Sequence, residues 1–158
     1  MKKAMNNKEV KEFLDLVKKE YNLELHKKER YEIFENIEKK DLNYKVVLIN
    51  NMPKFFYYEN KIIPTLKLIL ENNFLKKITI DMGAIKFIAS GADVMRPGIV
   101  YVDDEIEKDS IVSIIDVNNK KPLAIGITLY SGEEIKNMGS GKVIKNIHYV
   151  GDMIWNFN

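Results

Sequence analysis

The stretch DMGAIKFIASGADVMRPGI, residues 81–99, decides the fold of the second half of the chain. Asp81 is a favourable helix N-cap, so the sequence predicts a helix over residues 82–89. Gly91 is suited to end that helix, because glycine readily adopts the left-handed conformation that follows a last helical turn. A short loop, residues 91–98, comes next and leads into a strand.

This loop is framed by two glycines and contains one arginine. Gly91 and Gly98 lack a Cβ, so they can adopt positive φ and let another backbone approach closely. Pro97 fixes its own φ and favours an extended Arg96. An arginine on a rigid loop is well suited to bind a phosphate or a base edge. The alternative is a tight structural turn in which Arg96 pairs with a nearby carboxylate.

Short strands and glycine-rich turns surround this stretch. The predicted strands are 77–80, 99–102, 111–117, 122–129 and 142–149. Ser131 and Glu134 form a capping-box pattern, which predicts a helix that continues to Met138. Many short strands with few helices favour a small barrel, and we expect it to form a domain over residues 77–158.

The first half has a different pattern and is expected to form a small α/β domain, residues 1–76. Its predicted elements are a helix from Lys8 to Tyr21 capped by Asn7, a strand at 30–37, a hairpin of strands 45–50 and 54–58 that turns near Asn50 and Asn51, and a helix that begins at Pro64 and ends at Asn72 and Asn73. The fold class is therefore α+β, a small α/β domain followed by a mixed β pseudo-barrel.

The composition excludes several kinds of active site. The 158-residue chain has no cysteine and two histidines, which rules out disulfides, thiolate metal sites, cysteine nucleophiles and multi-histidine metal sites. It lacks the P-loop, dinucleotide-binding, nucleophile-elbow and HExxH motifs. It has no apolar run of membrane-spanning length and no secretory h-region. We therefore expect a cytoplasmic protein that is not an enzyme and has no cofactor, metal or membrane partner.

The charge is divided unevenly along the chain. Residues 1–80 hold 17 basic and 12 acidic side chains, and residues 81–158 hold 8 basic and 11 acidic ones. Five of those 11 acidic side chains lie in residues 103–109, which contain one lysine, so the rest of the second half has 7 basic and 6 acidic side chains. The sequence thus predicts a modest local basic face, not strong non-specific binding of polyanions.

Three further motifs each leave two interpretations open. Asp103 and Asp104 form either a solvated turn or a site for a divalent cation or a carboxylate pair. The solvated turn is favoured because catalytic carboxylates need an apolar cleft. His148 is either a hydrogen-bonding or base-stacking residue or a structural histidine packed near Trp155. The aromatic run at residues 55–58 is interpreted as core, and the alternative is a patch that binds a partner.

Four lysines are candidates for a basic face together with Arg96. Lys86 lies on the predicted helix, away from its apolar stripe. Lys142 and Lys145 lie on the last predicted strand, and Lys136 lies just before it. The alternative is that each is an ordinary surface lysine.

Residues 81–99 resemble the signature of the PUA domain, which is named for pseudouridine synthases and archaeosine transglycosylases. The segments PLAIGIT, residues 122–128, and GKVIKNIHYVGDMIW, residues 141–155, are similar to its later strands. Together with IPTL at residues 63–66, the NIHY motif and the DxxW motif, they resemble the malignant-T-cell-amplified-sequence family and its archaeal relatives.

The resemblance implies a PUA-type pseudo-barrel that binds RNA by its helix, its glycine-framed loop and its last strand. The residues so implicated are Lys86, Gly91, Ala92, Asp93, Val94, Met95, Arg96, Pro97, Gly98, Lys142, Lys145, Asn146 and His148. It implies a role in translation, at the small ribosomal subunit or the tRNA acceptor end, during initiation or recycling. The implied partners are tRNA or small-subunit rRNA, the small ribosomal subunit and a density-regulated-type protein.

Two other non-enzymatic functions compete with this one. A PUA domain also suits an accessory subunit that recognises RNA for an RNA-modifying enzyme. The aromatic strands of the first half would alternatively suit a protein–protein adaptor. The identity of the molecules that co-purify with the chain distinguishes these three functions.

Overall fold

The computed structural model describes residues 1–35 and 44–157 and divides them into two units, Met1–Thr65 and Leu66–Phe157. The domain boundary predicted between residues 76 and 77 lies later in the chain than this division and stays a prediction. Within the described residues, no helix combines the length and the apolar composition needed to span a membrane.

The first unit consists of a five-stranded antiparallel sheet and one helix. Its elements are β1 (Lys2–Ala4), α1 (Asn7–Tyr21), β2 (Tyr31–Glu35), β3 (Lys45–Ile49), β4 (Met52–Tyr58) and β5 (Lys61–Pro64). The strands are hydrogen-bonded in the order β1-β2-β3-β4-β5, so each pairs with its neighbour in the chain. The predicted strand 30–37 is seen as β2, and its last two residues lie outside the described residues.

The helix α1 begins one residue earlier than predicted. Asn6, not Asn7, is the N-cap, and it forms a capping box with Glu9, whose backbone N–H donates to Asn6 Oδ1 at 2.8 Å. Phe13 and Val17 are buried on the predicted apolar face. The Phe13 ring packs edge-on against Phe55 with ring centroids 5.4 Å apart, which fixes the helix on the sheet.

Tight turns explain the hairpins of this sheet. Asn50 and Asn51 have φ values of 52° and 66°, as the predicted turn requires. A second turn at Glu59 and Asn60, also with positive φ, creates β5, which was not predicted. Pro64 therefore ends an edge strand instead of starting a helix, since proline lacks the N–H that an interior strand must donate.

The aromatic run that follows the first of these turns is largely core. Phe55 is fully buried and Phe56 is 3% exposed, whereas the two tyrosines after them are half-buried. This arrangement agrees with the predicted core role of the run.

The second unit is built on a six-stranded mixed sheet that nearly closes into a pseudo-barrel. Its elements are α2 (Leu66–Glu71), β6 (Lys76–Ile80), α3 (Ile85–Ile88), β7 (Val94–Met95), a 3₁₀ helix (Arg96–Gly98), β8 (Ile99–Val102), β9 (Ile111–Asp116), β10 (Pro122–Thr128), α4 (Gly132–Asn137) and β11 (Lys142–Tyr149). The strand order is β7-β11-β10-β9-β6-β8, in which β6 and β9 are parallel. Isoleucine and valine side chains from most of these strands fill the interior.

The local predictions for this unit hold in part. Residues 91–98 were predicted as a loop, but Val94–Met95 forms β7, which pairs with β11, and Arg96–Gly98 forms a 3₁₀ helix. The capping box of α4 and the bounds of β11 agree with the sequence analysis. The predicted helix 82–89 is shorter, because Asp81 caps a preceding turn by accepting the N–H of Ala84 at 2.9 Å, and α3 starts only after that turn.

Candidate nucleic-acid interface

Three elements of the second unit form one concave surface. The helix α3 carries Lys86, the strand β11 carries Lys142 and Lys145, and the loop 91–98 runs between the two elements. Residues of α3, this loop and the start of β11 line a cavity of about 680 Å³. Seven of the thirteen residues that the resemblance implicates line this cavity, and the six that do not are Lys86, Gly91, Arg96, Lys145, Asn146 and His148.

Asn146 ties the loop to both α3 and β11. Its Nδ2 donates to the carbonyl oxygens of Ile88 and Ala92, at 3.1 Å each. Its backbone N–H donates to Asp93 Oδ1 at 2.8 Å. Because these bonds join one strand residue to the end of the helix and to the loop, Asn146 positions the loop rather than presenting its amide to solvent.

Asp93 lies at the centre of the surface and is paired with a lysine. Its Oδ2 is 2.9 Å from Lys142 Nζ. Burial alone would raise the pKa of Asp93, but the Lys142 ammonium, the Asn146 N–H and the charge of Lys145 together hold this pKa below its ordinary value. Asp93 is therefore a carboxylate at neutral pH, and it partly neutralises the basic face.

Arg96 is anchored to the backbone. Its Nε donates to the carbonyl oxygen of Ile135 at 2.6 Å, and its Nη1 donates to that of Ile99 at 3.3 Å. Arg96 forms no ion pair with a carboxylate in the part of the chain that the structure describes. Its guanidinium joins α4 to β8. Arg96 therefore has the structural role given above as the alternative, but its partners are backbone carbonyl oxygens and not a carboxylate.

The two framing glycines act differently. Gly91 has a φ of +98°, and a Cβ there would lie 2.8 Å from a Tyr149 ring carbon. Gly98 has no positive φ, and an added Cβ would lie 3.1 Å from the Cβ of Ala84. The expectation of positive φ thus holds for Gly91 and is wrong for Gly98, where close packing is the reason for glycine.

The cavity has an apolar rim, to which Met95 was predicted to belong and Phe87 was not. Phe87 and Met95 are 57% and 50% exposed, and both line the cavity. Lys86 Nζ lies 5.2 Å from the centre of the Phe87 ring. Pro97, which was predicted to belong to the site, also lines the cavity and is exposed. Phe87 lies off the apolar stripe of its predicted helix. An aromatic residue at such a position is expected to be exposed, and this was the signal available in the sequence.

Two predicted contact residues are buried. Val94 and His148 both have 0% exposure. His148 Nε2 accepts the backbone N–H of Leu66 at 3.0 Å, and its Nδ1 lies 2.8 Å from Asp152 Oδ2. Since a backbone N–H can only donate, the ring proton is on Nδ1 and points to Asp152. The assignment of direct RNA contact to these two side chains is therefore wrong.

The acidic turn, residues 103–109, has mostly exposed side chains. Asp103 Oδ1 accepts the N–H of Glu105 at 2.9 Å, and Asp104 pairs with Lys136 at 2.7 Å. Across residues 1–35 and 44–157, no group of three histidine, aspartate or glutamate side chains is arranged to hold a metal ion. Lys136 therefore belongs to this turn rather than to the concave surface.

Comparisons with known proteins support the interpretation of both halves. Residues 76–150 match the model of the PUA domain, and residues 2–72 match a domain of unknown function (DUF1947). A crystal structure of a hypothetical protein from Pyrococcus horikoshii is 30% identical, with a TM-score of 0.82 and coverage of 98% of both chains.

The curated relatives are similar over most of this chain. An uncharacterized protein of Methanocaldococcus jannaschii is 47% identical over 116 residues, 73% of this chain and 72% of that protein. Translation machinery-associated protein 20 of Schizosaccharomyces pombe is 39% identical over 106 residues, 64% of this chain and 59% of that protein. Malignant T-cell-amplified sequence 1 of Rattus norvegicus is 34% identical over 115 residues, 70% of this chain and 63% of that protein.

This chain thus spans less than two thirds of the length of the last two relatives. Its own two halves nevertheless match both domain models. The chain belongs to the family of PUA-domain proteins with an N-terminal DUF1947 domain that includes the malignant T-cell-amplified sequence proteins.

Proposed function

We propose that this protein binds RNA without catalysing a reaction, through the surface formed by α3, the loop 91–98 and β11. The observation that carries the proposal is a cavity lined by Lys142, the anchored loop and the exposed ring of Phe87, with Lys86 Nζ 5.2 Å from the centre of that ring. The PUA match of residues 76–150 supports it, as do relatives named for the translation machinery.

The chemistry of each part suits RNA. Lys86 and Lys145 are exposed and can contact phosphates, which fix the orientation of a nucleic acid. The Phe87 ring can stack on an unpaired base. Gly91 lacks a side chain, and the 91–98 backbone can therefore approach the shallow minor groove of an RNA duplex or an acceptor end.

The proposed place of action is the translation machinery of the cytoplasm, at the small ribosomal subunit or the tRNA acceptor end, during initiation or recycling. A density-regulated-type protein is the proposed protein partner. Crosslinking to RNA in cells, followed by sequencing of the bound fragments, tests this proposal. Small-subunit rRNA or tRNA is the expected result. Co-purification of an RNA-modifying enzyme instead of ribosomal subunits would favour the accessory-subunit function.

Lys86→Ala is expected to weaken binding to tRNA or small-subunit RNA. Removing one lysine–phosphate pair should lower the slope of log Kd against log salt by about 0.7 to 0.9. Filter binding over a series of salt concentrations measures this slope. Lys108→Ala is the matched control, because it removes the same charge from an exposed position in the acidic turn. Equal slopes for the two variants would argue against Lys86 as a contact.

Arg96→Ala is expected to weaken RNA binding by about 1–3 kcal/mol, the usual effect of removing an arginine that contacts a nucleic acid. The anchored guanidinium adds a second expectation, a lower free energy of unfolding. Arg96→Lys separates the two effects, since it keeps the charge and removes the fork that joins Ile135 to Ile99. Lower stability with unchanged affinity in both variants would show that Arg96 is purely structural.

A further inference from the structure

Asp93 is a carboxylate surrounded by the groups that the proposed interface offers to RNA. Its Oδ2 binds the Lys142 ammonium at 2.9 Å, and its Oδ1 accepts the N–H of Asn146 at 2.8 Å. The charge of Lys145 also stabilises the ionised form of Asp93. Lys142, Lys145 and Asn146 all belong to β11, and Lys142 and Asp93 line the cavity.

This set of groups is the set that binds a phosphate. Lysine ammonium groups and backbone N–H groups supply many of the contacts that proteins make to nucleic-acid phosphates. Two carboxylate oxygens and two phosphate oxygens can accept from the same donors. The Asp93 carboxylate therefore occupies a place that a phosphate group fits.

The fold does not require the negative charge at this position. The ion pair is partly exposed, with side-chain exposures of 53% for Lys142 and 27% for Asp93, and such pairs contribute little to stability. The loop is also held by the two bonds from Asn146 Nδ2 and by the Arg96 N–H, which donates to the Gly141 carbonyl at 2.8 Å. An asparagine at position 93 would keep an acceptor for the Asn146 N–H.

We propose that Asp93 is an internal competitor for RNA phosphate, which holds Lys142 until a phosphate of a well-fitting RNA replaces the carboxylate. The inference rests on the proposed function and adds a means by which the surface distinguishes one RNA from other polyanions. An RNA that fits the cavity forms enough other interactions to displace Asp93, whereas an arbitrary polyanion meets a partly neutralised face. This mechanism explains how a surface of low net charge can select its RNA.

Asp93→Asn tests the competition directly. At low ionic strength this variant is expected to bind a tRNA transcript about two- to fivefold more tightly, because Lys142 no longer has to leave a carboxylate. The slope of log Kd against log salt should steepen by about 0.7 to 0.9, because binding at Lys142 then releases one counterion without freeing a carboxylate that regains one. The double variant Asp93→Asn with Lys142→Ala should not show this tighter binding, since the released lysine is absent.

Asp104→Asn is the matched control, because it makes the same charge change and also releases a paired lysine, Lys136, outside the interface. If Asp93→Asn binds no more tightly than wild type, or no more tightly than Asp104→Asn, the competition is overturned.

A second titration keeps the test independent of the proposed function. Inorganic tripolyphosphate is added to ¹⁵N-labelled protein, and the Asn146 amide resonance is followed. Asp93→Asn is expected to shift this resonance at a lower tripolyphosphate concentration than wild type, and equal concentrations would overturn the inference. If no variant binds RNA in the first experiment, the proposed function fails, and this titration still decides whether Asp93 competes with phosphate.

Discussion

Gly132→Ala is expected to destabilise the second unit by about 3 kcal/mol or more. A Cβ at this position would lie 1.8 Å from the carbonyl oxygen of Asp103, which is a backbone atom and cannot rotate away. The Gly132 N–H also donates to the carbonyl of Ile106 at 2.7 Å, so moving α4 away would break this bond. Urea unfolding followed by circular dichroism measures the decrease in stability.

Gly139→Ala is the control for this substitution. No atom lies within 4 Å of a Cβ built at Gly139, and its φ is not positive. This variant should have nearly wild-type stability or gain slightly from the lower entropy of its unfolded chain. Similar stabilities for the two variants would contradict the close contact at Gly132. Because α4 holds Arg96, Gly132→Ala should also loosen the loop 91–98.

Local patterns in the sequence were sufficient for the elements whose signals are short-range. The capping box at Ser131 and Glu134 and the two asparagines at the β3–β4 turn depend on residues within one turn of each other. The strand β11 has three β-branched residues, Val143, Ile144 and Ile147, between Gly141 and Gly151, and its bounds were predicted.

Elements that depend on distant pairing were not predictable in the same way. The strand β1 is three residues long and two of them are lysines, so it has no strand pattern of its own and exists because it pairs with β2. The parallel pairing of β6 with β9 joins segments separated by two other strands, and no spacing rule in the sequence indicates it.

The site shows the same division. The 81–99 stretch indicated where the interface lies, because a helix, glycines and an arginine occur close together in the chain. The partners of those residues are distant in sequence, as in the bonds from Asn146 to Ile88 and from Arg96 to Ile135. The sequence therefore indicated the residues of the proposed interface, but not which of them position the loop and which face solvent.

His148 and Asp152 provide the second large expected effect. Their spacing of four residues was visible in the sequence, but the third partner, Leu66, lies 82 residues away. His148→Ala would leave the Asp152 carboxylate and the Leu66 N–H without this partner. Leaving a buried N–H or a largely buried carboxylate without its partner costs about 1–3 kcal/mol per group, and more for a charged one. We therefore expect a decrease of at least about 3 kcal/mol in the free energy of unfolding, measured with urea.

Asp152→Asn tests the same network if His148→Ala fails to fold. Burial would raise the pKa of Asp152, but the hydrogen bond from His148 Nδ1 and two backbone N–H groups hold this pKa below its ordinary value. The ionised carboxylate therefore stabilises the fold above the unfolded-state pKa, near 3.9, and this contribution is lost as the pH falls through the lower folded-state pKa. Asp93 and Asp116 also have lowered pKa values, so their protonation lowers the stability of wild type and of Asp152→Asn alike.

The difference between wild type and Asp152→Asn in this acid range thus isolates Asp152. We expect the variant to lose less stability than wild type when the pH is lowered from about 5 to about 3. Parallel losses in the two proteins would contradict a lowered pKa for Asp152. A steeper loss in wild type would show that the ionised Asp152 carboxylate, held by His148 and by the backbone N–H groups of Tyr149 and Trp155, stabilises the fold.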